Sequence, residues 1–226
     1  SYRKLFEHFK PQILIGLTAT PERMDGRDLR PDFGGYISAE IRLPQALQAG
    51  LLTPFQYLCV SDDTDLSDDS LWNGQKYNTN LLANKLCSKT RAQLIVNALH
   101  KYLADEYTCK ALCFCVNKQH ADFMAEQLKQ SGFGAESLTS DTPSDKRKQL
   151  AKDLANGTLH YLCVVDIFNE GVDIPEVDTV LFLRPTDSLT IFLQQLGRRL
   201  RLSVGKTELT VLDFVAQANR KYDFTS

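Results

Sequence analysis

The sequence predicts an α/β fold, a doubly wound parallel sheet with helices on both faces, and three observations carry that prediction. From about Ala111 onward, short apolar runs alternate with helical patterns, the signature of successive βαβ units. The helical stretches have start and stop residues that agree with their apolar periods. Finally, 226 residues with 43% hydrophobic content suffice to bury one full domain and additional material.

Ala111 to Val116 is the first apolar run of that core. The helix after it places Ala121, Met124, Ala125 and Leu128 in one stripe, with Asn117 as N-cap and Gly132 as its stop. A strand then ends at Leu138-Thr139-Ser140-Asp141. The next helix opens with Thr142 as cap, Pro143 at the first helical position and Asp145 in the first turn. It buries Leu150, Ala151 and Leu154 and stops at Asn156-Gly157. Leu159 to Val165, Thr179 to Leu183 and Leu209 to Val215 read as further strands, with a helix from about Leu189 to Leu196 between the last two. Upstream, Leu43 to Gly50 reads as a short helix, Phe55 to Val60 as a strand and Ser61 to Ser70 as a solvated acidic loop. That loop lacks the glycine and terminal glutamate of a calcium-binding EF-hand. Ile13 to Leu17 has the pattern of a buried strand after a helix-like stretch. No earlier strand is there to pair with it, so it reads as cut from a sheet that begins upstream.

Composition narrows the function. No apolar run approaches the roughly 20 residues of a membrane span, and Ser1 to Lys10 has no signal-peptide core, so no membrane partner is expected and the cytoplasm is the default compartment. Cys59, Cys113, Cys115 and Cys163 lie in strand-like runs and read as buried free thiols. Neither the cysteines nor His8, His100, His120 and His160 reach a four-ligand spacing, so no metal site is expected and the histidines read as surface or helix-face residues. A net charge of −2 excludes diffuse phosphate attraction as the main source of nucleic-acid affinity; any contact must be local.

Three separated clusters carry chemistry. The first is Leu17-Thr18-Ala19-Thr20-Pro21. The second is Val165-Asp166 followed by Asn169-Glu170-Gly171-Val172-Asp173-Ile174-Pro175, a strand running into a loop whose glycine lets the backbone approach a ligand. The third is Gln194-Gln195-Leu196-Gly197-Arg198-Arg199-Leu200-Arg201, in which Arg198 and Arg201 share a face on a helix. Each string alone also fits an ordinary turn or a solvated helix end. Their order is what resembles a family: these are the motifs, in sequence, of superfamily II helicases, the group of DEAD/DEAH-box, UvrB-like and restriction-enzyme motors.

The resemblance implies a RecA-like domain and specific roles. Thr18, Ala19 and Thr20 would couple ATP state to nucleic-acid grip. Gly171, Asp173, Gln194 and Gly197 would line the nucleotide site, with Asp173 on the ribose. Arg198 and Arg201 would be arginine fingers on the γ-phosphate, a role worth roughly 10³ to 10⁵ in rate. Thr139, Ser140 and Arg147 would hold strand phosphates. The strings Leu17 to Gly26, Ala39 to Pro44, Asn169 to Thr186 and Leu209 to Phe214 further resemble bacterial motors that carry a phospholipase-D-like nuclease domain. That implies DNA work in restriction, defence or repair.

A motor of this kind also needs a glycine-rich phosphate loop and an Asp-Glu pair for Mg²⁺. The sequence has no such loop, and the Asp-Glu pair that holds Mg²⁺ is expected before Ser1. Gly205-Lys206-Thr207 imitates the loop's end, but Leu200 stands where its first glycine belongs, and a hairpin-like turn is the better reading. Asp62-Asp63 could imitate the carboxylate pair, yet no phosphate loop precedes it. The expected organisation is therefore residues 1–43 as the remnant of a first RecA-like domain, 44–79 as an inter-domain connection and 80–226 as the second RecA-like domain. ATP and Mg²⁺ would be used by the intact protein together with the missing N-terminal domain. The track would be single- or double-stranded DNA, with RNA the alternative, and the chain alone would be inactive. A binding module without ATP chemistry is the second reading, and an unrelated doubly wound enzyme ranks last.

Overall fold

Six strands, all parallel, form one sheet: β1 (Phe55–Asp65), β2 (Ala111–Phe114), β3 (Ala135–Leu138), β4 (Tyr161–Val164), β5 (Thr179–Phe182) and β6 (Leu209–Gln217), in the spatial order β1-β6-β5-β2-β4-β3. The helices are α1 (Tyr2–Phe9), α2 (Leu43–Gln48), α3 (Thr79–Leu86), α4 (Lys89–Tyr102), α5 (Lys118–Gln130) and α6 (Ser144–Asn156). This computed structural model describes residues 2–9, 11–18, 30–73, 76–165, 174–185 and 196–218. No helix among them is long and apolar enough to cross a membrane.

The two faces of the sheet are covered by different elements, as the doubly wound pattern predicts. Alternate residues Ala111, Cys113 and Leu181 face α4 and α5, where Ile95, Leu99, Met124 and Leu128 are fully buried. Leu112, Phe114, Val180 and Phe182 face the other way, against Leu150 and Leu154 of α6 and against Leu196 and Leu200. Strands buried on both sides carry near-continuous apolar runs, which is why β2, β4 and β5 show no polar alternation. The Asn117 carboxamide accepts from the His120 N–H at 3.0 Å to start α5, and Gly132, with φ of 89°, follows its end. Gly157 closes α6 in the left-handed conformation.

Several expectations are corrected. Thr142 does not cap α6: its hydroxyl accepts from the Thr139 N–H at 3.0 Å, and the helix starts one residue later, at Ser144. The acidic stretch after Val60 is not wholly loop, because β1 runs on to Asp65 beside β6. The sheet thus takes its edge strand from residues read as an inter-domain connection. Cys59 is exposed rather than buried, since an edge strand has neighbours on one side only, whereas Cys113, Cys115 and Cys163 are buried and every cysteine is free. His120 is fully buried, not on the surface; its Nδ1 accepts from the Val116 N–H at 3.3 Å. Burial, reinforced by Arg91 and Arg184, pulls its pKa down to about 3, so it is neutral. Ile13 to Leu17 forms no strand, and Ile13, Ile15 and Leu17 are 78%, 75% and 94% exposed. A strand is held by ladder partners, and none of the described strands pairs with it.

Asp62 and Arg91 supply the one ion pair, among the described residues, whose side chains are both buried, each 2% exposed. Arg91 Nε donates to Asp62 Oδ2 at 2.6 Å and Nη2 donates to the Leu183 carbonyl at 3.0 Å, joining β1, α4 and the end of β5. Burial alone would raise the Asp62 carboxyl. The Arg91 charge and the hydrogen bonds from Thr64 outweigh that and hold it below its ordinary value.

Candidate nucleotide-facing arginines and strand-gripping loop

Of the described site residues, those of the arginine string and those of the loop after β3 fall at two opposite edges of the sheet. At the amino edge, residues 196–199 form a helical turn that leads toward β6. Leu196 and Leu200 are 1% and 0% exposed and anchor that turn in the core. The arginine string is split by this anchoring: Arg198 and Arg201 are exposed, while Arg199 is 1% exposed and its Nη1 donates to the Ile174 carbonyl at 3.5 Å. A Cβ added at Gly197 would meet nothing within 4 Å among the described residues, so the turn beside Arg198 has open space.

The backbone of this turn is held by residues that lie just ahead of two strands. Thr53, ahead of β1, donates its N–H to the Leu200 carbonyl at 2.7 Å and its hydroxyl to the Arg201 carbonyl at 3.1 Å. Lys206, ahead of β6, donates to the Pro175 carbonyl at 3.2 Å, to the Arg201 carbonyl at 3.4 Å and to the Arg199 carbonyl. Burial pulls the Lys206 ammonium down to about 8, with the nearby Asp178 carboxylate opposing that shift. The turn at Gly205, with φ of 81°, returns Lys206 toward these carbonyls. The turn falls at Val204-Gly205 and is not hairpin-like, because no strand directly precedes it among the described residues and β6 pairs in parallel with both neighbours.

At the carboxyl edge, the loop after β3 carries Thr139 and Ser140. Thr139 is 7% exposed and its hydroxyl accepts from the Asp141 N–H at 3.4 Å, so its side chain is committed to the loop. Ser140 is exposed. Arg147 braces the same loop from α6, with Nε donating to the Thr142 carbonyl at 2.6 Å and Nη2 to the Ser140 carbonyl at 2.7 Å. Lys118, at the start of α5, bridges Asp141 at 2.6 Å and ties the loop after β2 to the loop after β3. The Lys118 hydrogen bond and charge hold the Asp141 carboxyl below its ordinary value. Lys146 and Lys148, in the first turns of α6, are exposed beside this loop, together with Asp145.

The remaining site residues divide as follows. Thr18 is described and exposed. Ala19, Thr20, Gly171, Asp173 and Gln194 lie outside the described residues, as does most of the helix expected from Leu189 to Leu196. Asp62 is not half of a Mg²⁺-holding pair, because its carboxylate is spent on Arg91 and Thr64. Thr53, Lys206 and Lys118 were not singled out as site residues from the sequence. Lys118 had a signal, standing directly after the cap of a helix at a strand end; Thr53 meets Arg201 across 148 residues, and Lys206, though near Arg199 and Arg201 in sequence, bonds backbone carbonyls that no side-chain pattern marks.

Part of the chain is similar to a known family. Residues 94–203, from within α4 to just past the arginine turn, match the family described as "Helicase conserved C-terminal domain". The Saccharomyces cerevisiae protein named "Putative ATP-dependent helicase IRC3" is 29% identical over 227 residues, covering 97% of this chain and 32% of that protein. A "51.5 kDa protein" of a Lactococcus phage is 27% identical over 211 residues, covering 93% of this chain and 45% of that protein. The E. coli DEAD-box protein SrmB, solved bound to regulator of ribonuclease activity A, superposes with a TM-score of 0.50 over 72% of this chain and 78% of that one, at 18% identity. The fold is RecA-like, and the family match with the helicase relatives supports a superfamily II helicase C-terminal part. The chain spans less than half the length of these two relatives.

Proposed function

We propose that this chain is the C-terminal half of an ATP-dependent nucleic-acid motor, supplying arginine fingers to an ATP site shared with an N-terminal RecA-like domain and gripping the strand at its opposite edge. The observation that carries the reading is the sorting of the arginine string. Arg198 and Arg201 are exposed from a turn whose neighbours are buried or held, within a segment matched to the helicase C-terminal domain. A finger needs a charged planar fork on a fixed backbone, and this turn offers two.

The donor set fits phosphate oxygens and does not fit Mg²⁺. Guanidiniums bind phosphate through paired N–H donors, whereas among the described residues no cluster of carboxylates is arranged to hold Mg²⁺, Asp62 being engaged. ATP, when bound, supplies the γ-phosphoryl group whose transfer to water drives the cycle. Arg198 and Arg201 would neutralise charge that develops on that group, Gly197 would leave room for it, and Gly171, Asp173 and Gln194 would complete the nucleotide contacts. Thr18, Ala19 and Thr20 would relay the nucleotide state. At the other edge, the Ser140 hydroxyl, the loop held by Thr139 and Arg147, and the α6 lysines would contact strand phosphates. DNA is the proposed track, following the resemblance to restriction and repair motors.

A binding module with no ATP chemistry is the second reading, since exposed arginines on a held turn can also contact strand phosphates. Strand-stimulated ATP turnover by the whole protein, and its loss in Arg201→Ala, separates the two.

A further inference from the structure

We infer that Thr53 and Lys206 form a clamp on the carbonyl end of the arginine turn, acting as positioning residues that fix the direction of Arg198 and Arg201. The inference rests on the arginine-finger reading above and goes beyond it, because neither residue faces the proposed nucleotide.

The last carbonyls of a helical segment have no partner within the helix. Here three successive ones are taken, and all by residues outside the turn: Arg199 by Lys206, Leu200 by the Thr53 N–H, and Arg201 by both the Thr53 hydroxyl and Lys206. Thr53 is fully buried, so its hydroxyl has no solvent to fall back on. Lys206 is half-buried among carbonyl oxygens, and an ammonium at the negative end of a helical turn is favoured there. Its lowered pKa accords with a cation taken largely out of water for this contact.

The clamp also joins two segments that the helicase resemblance assigns to the nucleotide. Lys206 reaches the Pro175 carbonyl and Arg199 reaches the Ile174 carbonyl, so the stretch directly after Asp173 is tied to the turn bearing Arg198 and Arg201. Catalytic groups must be held within about 0.5 Å of their productive geometry, and a misplacement of about 1 Å costs roughly a hundredfold in rate. A clamp on the backbone between two exposed arginines provides such a constraint. Thr53 adds a second consequence, since its own segment runs directly into β1, and any pull on that segment is transmitted to the Leu200 and Arg201 carbonyls.

The test is steady-state ATP turnover by the whole protein with saturating single-stranded DNA. The variants are Lys206→Met, Lys206→Arg and Thr53→Val, with Arg201→Ala as the reference. Hydrogen–deuterium exchange of the peptide covering 196–209 and a thermal melt accompany each variant. Lys206→Met is expected to lower kcat by about ten- to a hundredfold with KM for ATP nearly unchanged. Lys206→Arg, which keeps donors for the carbonyls, is expected to recover most of that loss. Thr53→Val keeps the N–H bond and should lower kcat by a smaller factor while speeding exchange in 196–209. It also stands in should Lys206→Met fail to fold. If Arg201→Ala lowers kcat while Lys206→Met and Thr53→Val leave it unchanged, the clamp is only a helix cap and the inference is overturned alone. If Arg201→Ala itself leaves kcat unchanged, the arginine-finger reading falls first and the inference with it.

Discussion

Replacing Asp62 with alanine removes the acceptor of a buried guanidinium, and the structure sets the size of the effect. Both side chains are 2% exposed, the Nε to Oδ2 distance is 2.6 Å, and Arg91 keeps only the Leu183 carbonyl once the carboxylate is gone. Its Nη1 already has no hydrogen-bond partner among the described residues, so the guanidinium cannot redistribute its bonds locally. Breaking such a pair costs about 3 to 5 kcal/mol, out of the roughly 5 to 15 kcal/mol that holds a domain folded. For a chain of this size each kcal/mol lowers Tm by about 2 to 4 °C, so the melt should drop by about 6 to 20 °C. Removing both charges, with Asp62→Leu and Arg91→Met together, should cost much less, because no unpaired charge remains. The pH dependence follows from the lowered Asp62 pKa. Its contribution is complete above the carboxyl's unfolded value and is lost as pH falls through the lower folded value, so Asp62→Ala should flatten the acid limb of the stability curve. Urea denaturation of Asp62→Ala and of the double variant, followed by circular dichroism, checks this. A cost below about 1 kcal/mol for Asp62→Ala, the value of an exposed pair, would refute the reasoning.

The other expectations are simpler. The 226-residue chain alone should turn over no ATP above background, since its sequence has no glycine-rich phosphate loop followed by an Asp-Glu pair; Mg²⁺-dependent turnover by the purified chain would revive a different enzyme class. Its binding to single strands should weaken steeply with salt, because a few local phosphate contacts on a net-acidic chain carry it. Arg147→Ala should reduce affinity and lower the salt slope by up to about 1, through the loss of one cation and of the brace on Ser140 and Thr142. Fluorescence anisotropy across salt concentrations reads both, and an affinity indifferent to salt would remove this loop from the strand site.

How far the fold was legible depended on whether a residue's partner lies close in sequence. α5 was readable from its cap, stripe and stop, since Asn117, Ala121 to Leu128 and Gly132 act within a few residues of one another. The same signals mark α4, where Ser88 caps and Ala92, Ile95, Val96 and Leu99 form the buried stripe, but they were not picked out. The error at Thr142 arose because a hydroxyl beside a helix start has a choice of donors, and the Thr139 N–H won. β1 past Val60 was misread because Asp62 looks solvated until Arg91, 29 residues away, is placed beside it. In the site, spacing put Arg198 and Arg201 on one face. That Arg199 between them turns inward could not be read from a run of like charges, because it depends on Leu196 and Leu200 being buried. The carbonyl contacts of Thr53 span 148 residues to Arg201, a distance at which no local pattern operates.

The central claim, that this chain supplies the arginine half of a shared ATP site, is tested most directly by Arg201→Ala in the whole protein, with steady-state ATPase at saturating single strand paired with nucleotide-binding titrations. The account predicts turnover lower by roughly 10³ or more, ATP affinity changed little, and no rescue by Arg201→Lys, which keeps the charge but loses the planar fork. Near-normal turnover in both Arg198→Ala and Arg201→Ala, with a stability cost of only some tenths of a kcal/mol as for a solvated helix end, would contradict it.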